Sequence, residues 1–352
     1  MKVYVLPADA FGCGHYRLIW PANVLQKSGF DVTIMPPHEK SGFLAKVGEK
    51  ADGGQELISI SIPDDADVIV LQRPAHPLQP DMIRMMRANG IAVIVDMDDD
   101  MSSIHPRNIA YETYRPRSHT LFSWNHTKTC CKEATLVTST TKALQRVYAP
   151  HGRGVVLDNY VPAVYLDYEK PEAGTFGWAG TTKSHPDDLQ VCGNSVQQLI
   201  DDGFRFTVVG GESNVRACLR LRDQVDTPGS FPLDLYAKKV AEYIDVGMCP
   251  LSPSAFNTSK SRLKAIEFMA LGIPWVGSPR EEYRRLSRET GCGLLVDTPK
   301  EWHQQLKTLM TDDVLRKEQA ERGKEYMTTQ TYQANAWRWA EAWELAYRME
   351  HP

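Results

Sequence analysis

Residues 244–279 read IDVGMCPLSPSAFNTSKSRLKAIEFMALGIPWVGSP. An apolar run, 244–249, ends at Pro250, and a polar loop follows. From Lys260 the apolar residues recur at helical spacing until Leu271-Gly272, and a second apolar run fills 273–277. Two continuous apolar runs joined by an amphipathic helix are the signature of parallel strands buried on both faces. On the intervening helix Lys260, Lys264 and Glu267 share one face. Cations suit a diphosphate and a carboxylate suits the paired hydroxyls of a ribose. A plain Lys264–Glu267 surface pair at i, i+3 is the simpler alternative.

The same alternation extends outward in both directions. Strand-like runs occupy 175–179, 205–210 and 293–296, with helical patterns at 186–202, 234–242 and 301–310. Residues 159–174 (NYVPAVYLDYEKPEAG) show no period and read as a linker. Before them come runs at 2–6, 31–35, 67–71, 91–96, 135–138 and 154–157, with helical patterns at 15–28 and 79–89. The expected fold class is α/β, with two Rossmann-like doubly wound domains facing across a cleft. The expected boundaries are 1–155 for the first domain, 156–174 for the linker and 175–330 for the second. A helix in 331–352 carries Trp337, Trp339 and Trp343 as packing groups and returns to the first domain.

Ligands of such sheets bind beyond the carboxyl ends of the strands. After the first run come Gly12, Gly14, His15 and Arg17, where small residues let a backbone approach a phosphate, though a plain tight turn fits equally. After the fourth run comes Asp96-Met97-Asp98-Asp99-Asp100, four carboxylates whose repulsion needs a cation, donors or water to offset it. Four readings compete there: a solvated helix cap, the nucleophile strand of a haloacid-dehalogenase-like phosphatase, a metal-binding DxD of a GT-A transferase, and a cleft-facing catalytic loop. The last is preferred, because a second doubly wound domain follows. After the run at 175–179, Trp178, Gly180, Thr181 and Lys183 precede an expected helix from Pro186, an arrangement suited to a diphosphate. Residues 105–128, with His105, Arg115 and His126, form a polar stretch that no core requires and read as an acceptor groove.

The 352 residues carry a net charge of −4, so no global basic field recruits nucleic acid or anionic lipid. No apolar stretch is long enough to span a bilayer. The seven cysteines (Cys13, Cys130, Cys131, Cys192, Cys218, Cys249 and Cys292) form no metal-ligand spacing and read as reduced, buried groups. With an N-terminus unlike a signal peptide, a cytoplasmic location is expected, the host cytoplasm if the gene belongs to a phage.

The run Glu267-Phe268-Met269-Ala270-Leu271-Gly272-Ile273-Pro274 resembles the E-A-M-A-x-G-x-P of family 4-type retaining glycosyltransferases, group 1 enzymes of GT-B architecture. The resemblance makes Glu267 the ribose-binding glutamate of that family's E-x7-E pair; the first glutamate falls at Ser259. Phe256-Asn257-x-x-Lys260-Ser261 resembles a divergent branch found in phage and bacterial genomes. Gly177-Trp178-x-Gly180 is similar to the family's donor-phosphate loop and Gly12-x-Gly14 to its N-terminal glycine loop. Asp98 and Asp99 stand where the family usually carries a histidine. The resemblance implies a metal-independent transferase with no cofactor, moving a sugar with retention from a nucleoside diphosphate sugar, a UDP-sugar favoured. Gly12, Gly14, Trp178, Gly180, Thr181, Lys183, Asn257, Lys260, Ser261, Lys264 and Glu267 would bind the donor. Asp98 and Asp99 would act on the reacting sugar, and His15, Arg17, His105, Arg115 and His126 on the acceptor. Protein, DNA base and glycan remain open as acceptors, as does the oligomeric state; no stable membrane insertion is expected. The rivals are a nucleotide-sugar epimerase of the same architecture and a non-catalytic two-lobed binding protein.

Overall fold

The computed structural model describes residues 1–37, 44–49, 53–115, 123–211 and 214–352. The buried Val/Ile-rich runs become two six-stranded parallel sheets. The first takes β1 (Val3–Leu6), β2 (Val32–Ile34), β5 (Val68–Gln72), β6 (Ala92–Met97), β7 (Leu136–Ser139) and β8 (Gly154–Val156) in the order β2-β1-β5-β6-β7-β8. The second takes β9 (Thr175–Thr181), β10 (Arg205–Gly211), β11 (Asp226–Gly229), β12 (Val246–Cys249), β13 (Trp275–Gly277) and β14 (Leu294–Leu295) in the order β11-β10-β9-β12-β13-β14. In each sheet the strand order reverses once, between β1 and β5 and between β9 and β12. A crevice must open at each reversal, because successive helices leave to opposite faces.

Several local expectations change. An antiparallel hairpin, β3 (Leu44–Glu49) with β4 (Gln55–Ser61), stands where the sequence suggested no strand. The edge strand β11, which reads DTPG, was also unexpected: Pro and Gly mask it, and both are tolerated at a sheet edge. The helical pattern 186–202 breaks into a 3-10 turn, Asp188–Cys192, and a helix, Ser195–Asp201, because Gly193 adopts φ +57 between them. The pattern at 260–271 also divides. Ser254 caps a short helix, Ala255–Thr258, through Asn257 N–H at 3.2 Å, and the main helix is Leu263–Ala270. Lys260 therefore lies in the connection and does not open the helix.

The C-terminal helix Trp337–Glu350 packs against β5 and β6 of the first sheet, with Trp339 and Trp343 buried and Trp337 half exposed. It meets a π-helical segment, His15–Ile19, that follows β1. Two carbonyls of that segment take donors from the chain's end: Tyr16 O from the Tyr332 hydroxyl, and Arg17 O from Trp339 Nε1 at 2.8 Å. Arg17 itself is 1% exposed and Asp96 0%. Its Nε and Nη2 donate to the two Asp96 oxygens at 3.0 and 2.8 Å, and Nη1 reaches Leu157 O at 2.7 Å and Asn159 Oδ1 at 2.9 Å. Arg17, expected to meet the acceptor, thus spends Nε, Nη1 and Nη2 on Asp96, Leu157 and Asn159.

The start of β9 is held by Asp245, just before β12. Its carboxylate accepts from Ala173 N at 3.0 Å and Thr175 N at 3.2 Å, and also from Gly174 N and Lys170 Nζ. Burial works to raise this carboxyl, but Lys170 and the backbone donors outweigh it and hold it below the usual carboxylate range.

Two measurements check these assignments. Asp96→Asn leaves the Arg17 charge buried without its counter-ion and should cost about 3–5 kcal/mol in urea unfolding; a loss under about 1 kcal/mol contradicts the structural role. Asp245 has a folded pKa below its unfolded one, so its stabilisation is complete above roughly pH 5 and drains as pH falls through the folded value. Asp245→Asn should therefore lower stability at neutral pH and flatten the acid limb of the stability curve. An unchanged acid limb would show that the staple contributes nothing.

Candidate active site

The loops leaving the strands at the two order reversals face each other and enclose a cavity of about 730 Å³. From the first sheet it receives Gly12 and Cys13 after β1, Arg73 after β5, and Asp98 and Asp99 after β6. From the second it receives His185 after β9 and Lys260, Ser261, Lys264 and Glu267 after β12. A neighbouring recess of about 260 Å³ is lined by Trp178, Gly180, Thr181 and His185 and shares Lys260, Ser261 and Lys264 with the main cavity.

Glu267 is 3% exposed yet borders the cavity. Its Oε2 accepts from Lys264 Nζ at 2.6 Å and its Oε1 from the Tyr16 hydroxyl of the other domain. Lys264 also donates to the Tyr236 hydroxyl at 2.6 Å. Burial alone would depress the Lys264 pKa, but Glu267 and Tyr236 more than compensate and raise it. The pair is the simple i, i+3 contact anticipated above, but it is sealed into the cleft wall and extended across the domains.

Each of the four carboxylates of the acidic segment is engaged. Asp96 holds Arg17, and Asp100 caps a 3-10 turn through Ser102 N at 3.0 Å. Asp98 takes Arg73 Nε. Asp99 takes Arg73 Nη2 at 3.0 Å and Lys260 Nζ, from the opposite domain, at 2.6 Å. Arg73 sits in the left-handed region at φ +50, strain that this double ion pair helps to hold. For Asp98 burial prevails over Arg73 and raises the carboxyl; for Asp99 burial is outweighed by Lys260 and Arg73 and the carboxyl is lowered.

Other expected residues take different places. Gly14 lets the helix lie against the loop that follows β1, since a Cβ there would meet Asp9 O at 1.9 Å. The amides of Phe11 and Gly14 donate to Asp9 Oδ1 at 2.9 and 3.0 Å, so those two are not left for a phosphate. His15 turns Nδ1 to Phe11 O at 2.9 Å and its ring edge to Trp20. Lys183 is exposed and lines a separate groove with Arg107, Ile109 and Asn214, away from the recess beside Trp178. Asn257 is 3% exposed and donates to Asp188 Oδ1 at 2.6 Å, an internal brace. Ser261 Oγ accepts from Asn159 Nδ2 at 3.0 Å across the domains.

Of the expected acceptor stretch, residues 116–122 lie outside the described residues. Its first part borders a hollow of about 300 Å³ and is strapped to the loop after β9. His105 Nε2 meets Asp187 at 2.8 Å, Asn108 Nδ2 donates to Ser184 O at 2.8 Å and Ile109 N to Lys183 O at 3.1 Å. Arg115 pairs with Glu112, and His126 is half-buried on the helix Ser123–Glu133. The sequence reading missed Arg73, Tyr16, Tyr236 and the His185–Asp188 pair. Only the last had a local signal, His-x-x-Asp just after a strand.

Residues 173–312 match the family described as glycosyl transferases group 1. The whole chain shares its fold with GT-B glycosyltransferase structures. Sucrose-phosphate synthase of Thermosynechococcus elongatus matches at 14% identity and TM-score 0.63, over 99% of this chain and 100% of that one. Anabaena HepE, solved in complex with UDP, matches at 13% and 0.61, over 98% and 100%. An alpha-glucosyltransferase in complex with UDP and a 13-mer DNA matches at 12% and 0.60, over 98% of both chains. No curated protein matches the chain by sequence.

The charge pairing between the domains can be measured directly. Lys260→Met should raise the Asp99 carboxyl pKa, read by carboxyl-carbon NMR, because its largest opposing cation is gone. An unmoved Asp99 titration would mean the two side chains do not meet in solution.

Proposed function

We propose that the transferase moves a glycosyl group from a nucleoside diphosphate sugar, with UDP as the favoured nucleotide, and that it does so with retention and without a metal. Glu267 would accept hydrogen bonds from the ribose hydroxyls. Lys260, Lys264 and Ser261 would meet the diphosphate, and Asp98 or Asp99 would orient the acceptor hydroxyl or support positive charge on the sugar. The observation that carries this reading is the cavity at the two order reversals, where Glu267, Lys264 and Lys260 follow one another on one wall and the Asp98–Asp99–Arg73 cluster forms the other. Preorganised donors aimed at a leaving diphosphate stabilise the charge that develops there without reorganising at the moment of reaction. The UDP found in two structural relatives and the retention implied by the sequence resemblance support the finer points.

The Asp99–Lys260 ion pair modifies what mutation should do. A diphosphate arriving at Lys260 competes with the Asp99 carboxylate for the same ammonium group. Lys260→Ala should weaken UDP binding by about 1.5–3 kcal/mol. Asp99→Asn should strengthen it, by roughly tenfold for 1.4 kcal/mol, while lowering turnover by about 10²–10⁴. Calorimetry with UDP and a turnover assay on both variants decide the matter. Weaker UDP binding in Asp99→Asn, or unchanged binding in Lys260→Ala, would dismiss the proposed phosphate position.

A further inference from the structure

His185 stands where three hollows meet: the main cavity, the recess beside Trp178, and a third of about 300 Å³ under Asn108 and Tyr111. Its Nδ1 lies 2.8 Å from Asp188 Oδ2. Asp188 is 4% exposed and is fixed on its other oxygen by Ser252 N at 2.9 Å and Asn257 Nδ2 at 2.6 Å. Asn257 is tied in turn to Ser252 O at 3.1 Å. Burial acts to raise the Asp188 carboxyl, but His185, Ser252 and Asn257 outweigh it and keep the carboxylate ionised. A buried carboxylate on Nδ1 fixes the ring's orientation and places a proton on Nδ1. Nε2 is then the ring atom left for a ligand; among the described residues nothing bonds it.

The order of groups along the cleft wall says which part of a ligand arrives there. Glu267 stands at one end, Lys264 one helical turn before it, and Lys260 and Ser261 in the connection that leads into the helix. His185 borders the same cavity and the same recess as those two residues. A ribose at Glu267 sets the inner phosphate beside Lys264 and the outer one beside Lys260 and His185. Lys183, the cation on the same loop expected to fill this role, faces the other groove.

We propose that His185 donates its Nε2–H to the outer phosphate of the sugar donor, with Asp188 and Asn257 as the residues that position it. This inference rests on the donor reading above. When the bond between the sugar's anomeric carbon and the outer phosphate oxygen breaks, the electron pair stays on that oxygen. The imidazolium then faces the new charge, its proton remaining on Nε2. Asn257 thus acts on the donor through Asp188 and His185 without touching it.

The test compares UDP with UMP, which lacks the outer phosphate, by calorimetry on the wild-type chain, His185→Ala, His185→Gln and Asp188→Asn. His185→Ala should lose about tenfold or more in UDP affinity, the scale of a hydrogen bond to a charged group, with UMP affinity unchanged and turnover reduced. His185→Gln, which keeps a donor without the charge, should recover part of the loss. Asp188→Asn should move the UDP-to-UMP ratio in the same direction. An unchanged ratio in His185→Ala overturns the proposal, as does an equal loss for both nucleotides with a lower melting temperature, which marks a packing role. A rise confined to the acceptor KM also overturns it. If the wild-type chain binds neither nucleotide, the donor reading itself falls and this inference with it; if wild type discriminates and His185→Ala keeps the discrimination, only this inference falls.

Discussion

The Arg17–Asp96 pair is the contact on which the rest of the molecule depends. Two fully buried charges are tolerable only when geometry and further hydrogen bonds satisfy every lone pair and proton. Here the guanidinium spans the helix after β1, the end of β6 and the exit from β8, while Trp339 of the C-terminal helix lies over it at 5.5 Å. Thr138 adds a hydroxyl to Asp96 at 2.7 Å. The pair thereby fixes the bases of the glycine loop and the acidic loop relative to each other, two residues away from Asp98.

From that anchor a line of polar contacts runs into the cleft. Arg17 holds Asn159, and the Asn159 amide reaches Ser261 on the other domain. Tyr16, next to Arg17, donates to Glu267. The C-terminal helix belongs to the same assembly, because Tyr332 and Trp339 satisfy the carbonyls of Tyr16 and Arg17. A chain that returns to its first domain in this way ties the stability of the N-terminal core to the geometry of the donor wall.

Inside the cleft the charges are matched group by group. Lys260 meets Asp99, Lys264 meets Glu267, His185 meets Asp188 and Arg73 meets both Asp98 and Asp99. Such pairing holds cations in a low-dielectric site at little net cost and keeps them oriented. A polyanionic ligand must then exchange partners rather than find bare charge. Under the proposed donor reading, exchange at Lys260 would leave Asp99 with Arg73 as its remaining cation partner.

The alternation of apolar runs and helical patterns determined the two parallel sheets by itself, because strands buried on both faces must be continuously apolar wherever the chain places them. Segment 244–279 likewise carried its own meaning, since the spacing of Lys264 and Glu267 on one helix is local geometry. What a side chain does after leaving a loop was decided only in three dimensions. Arg17 and Lys183 both looked like ligand cations; one found Asp96 seventy-nine positions away and the other faces an outer groove. Arg73 and Tyr16 had no signal at all, because their partners belong to other elements. His185 was visible as a letter, but its part depends on Asp188, on Asn257 sixty-nine positions further along, and on the cavity they share. Periodicity records which face of an element is buried, and it holds no record of which distant charge will satisfy a given polar group.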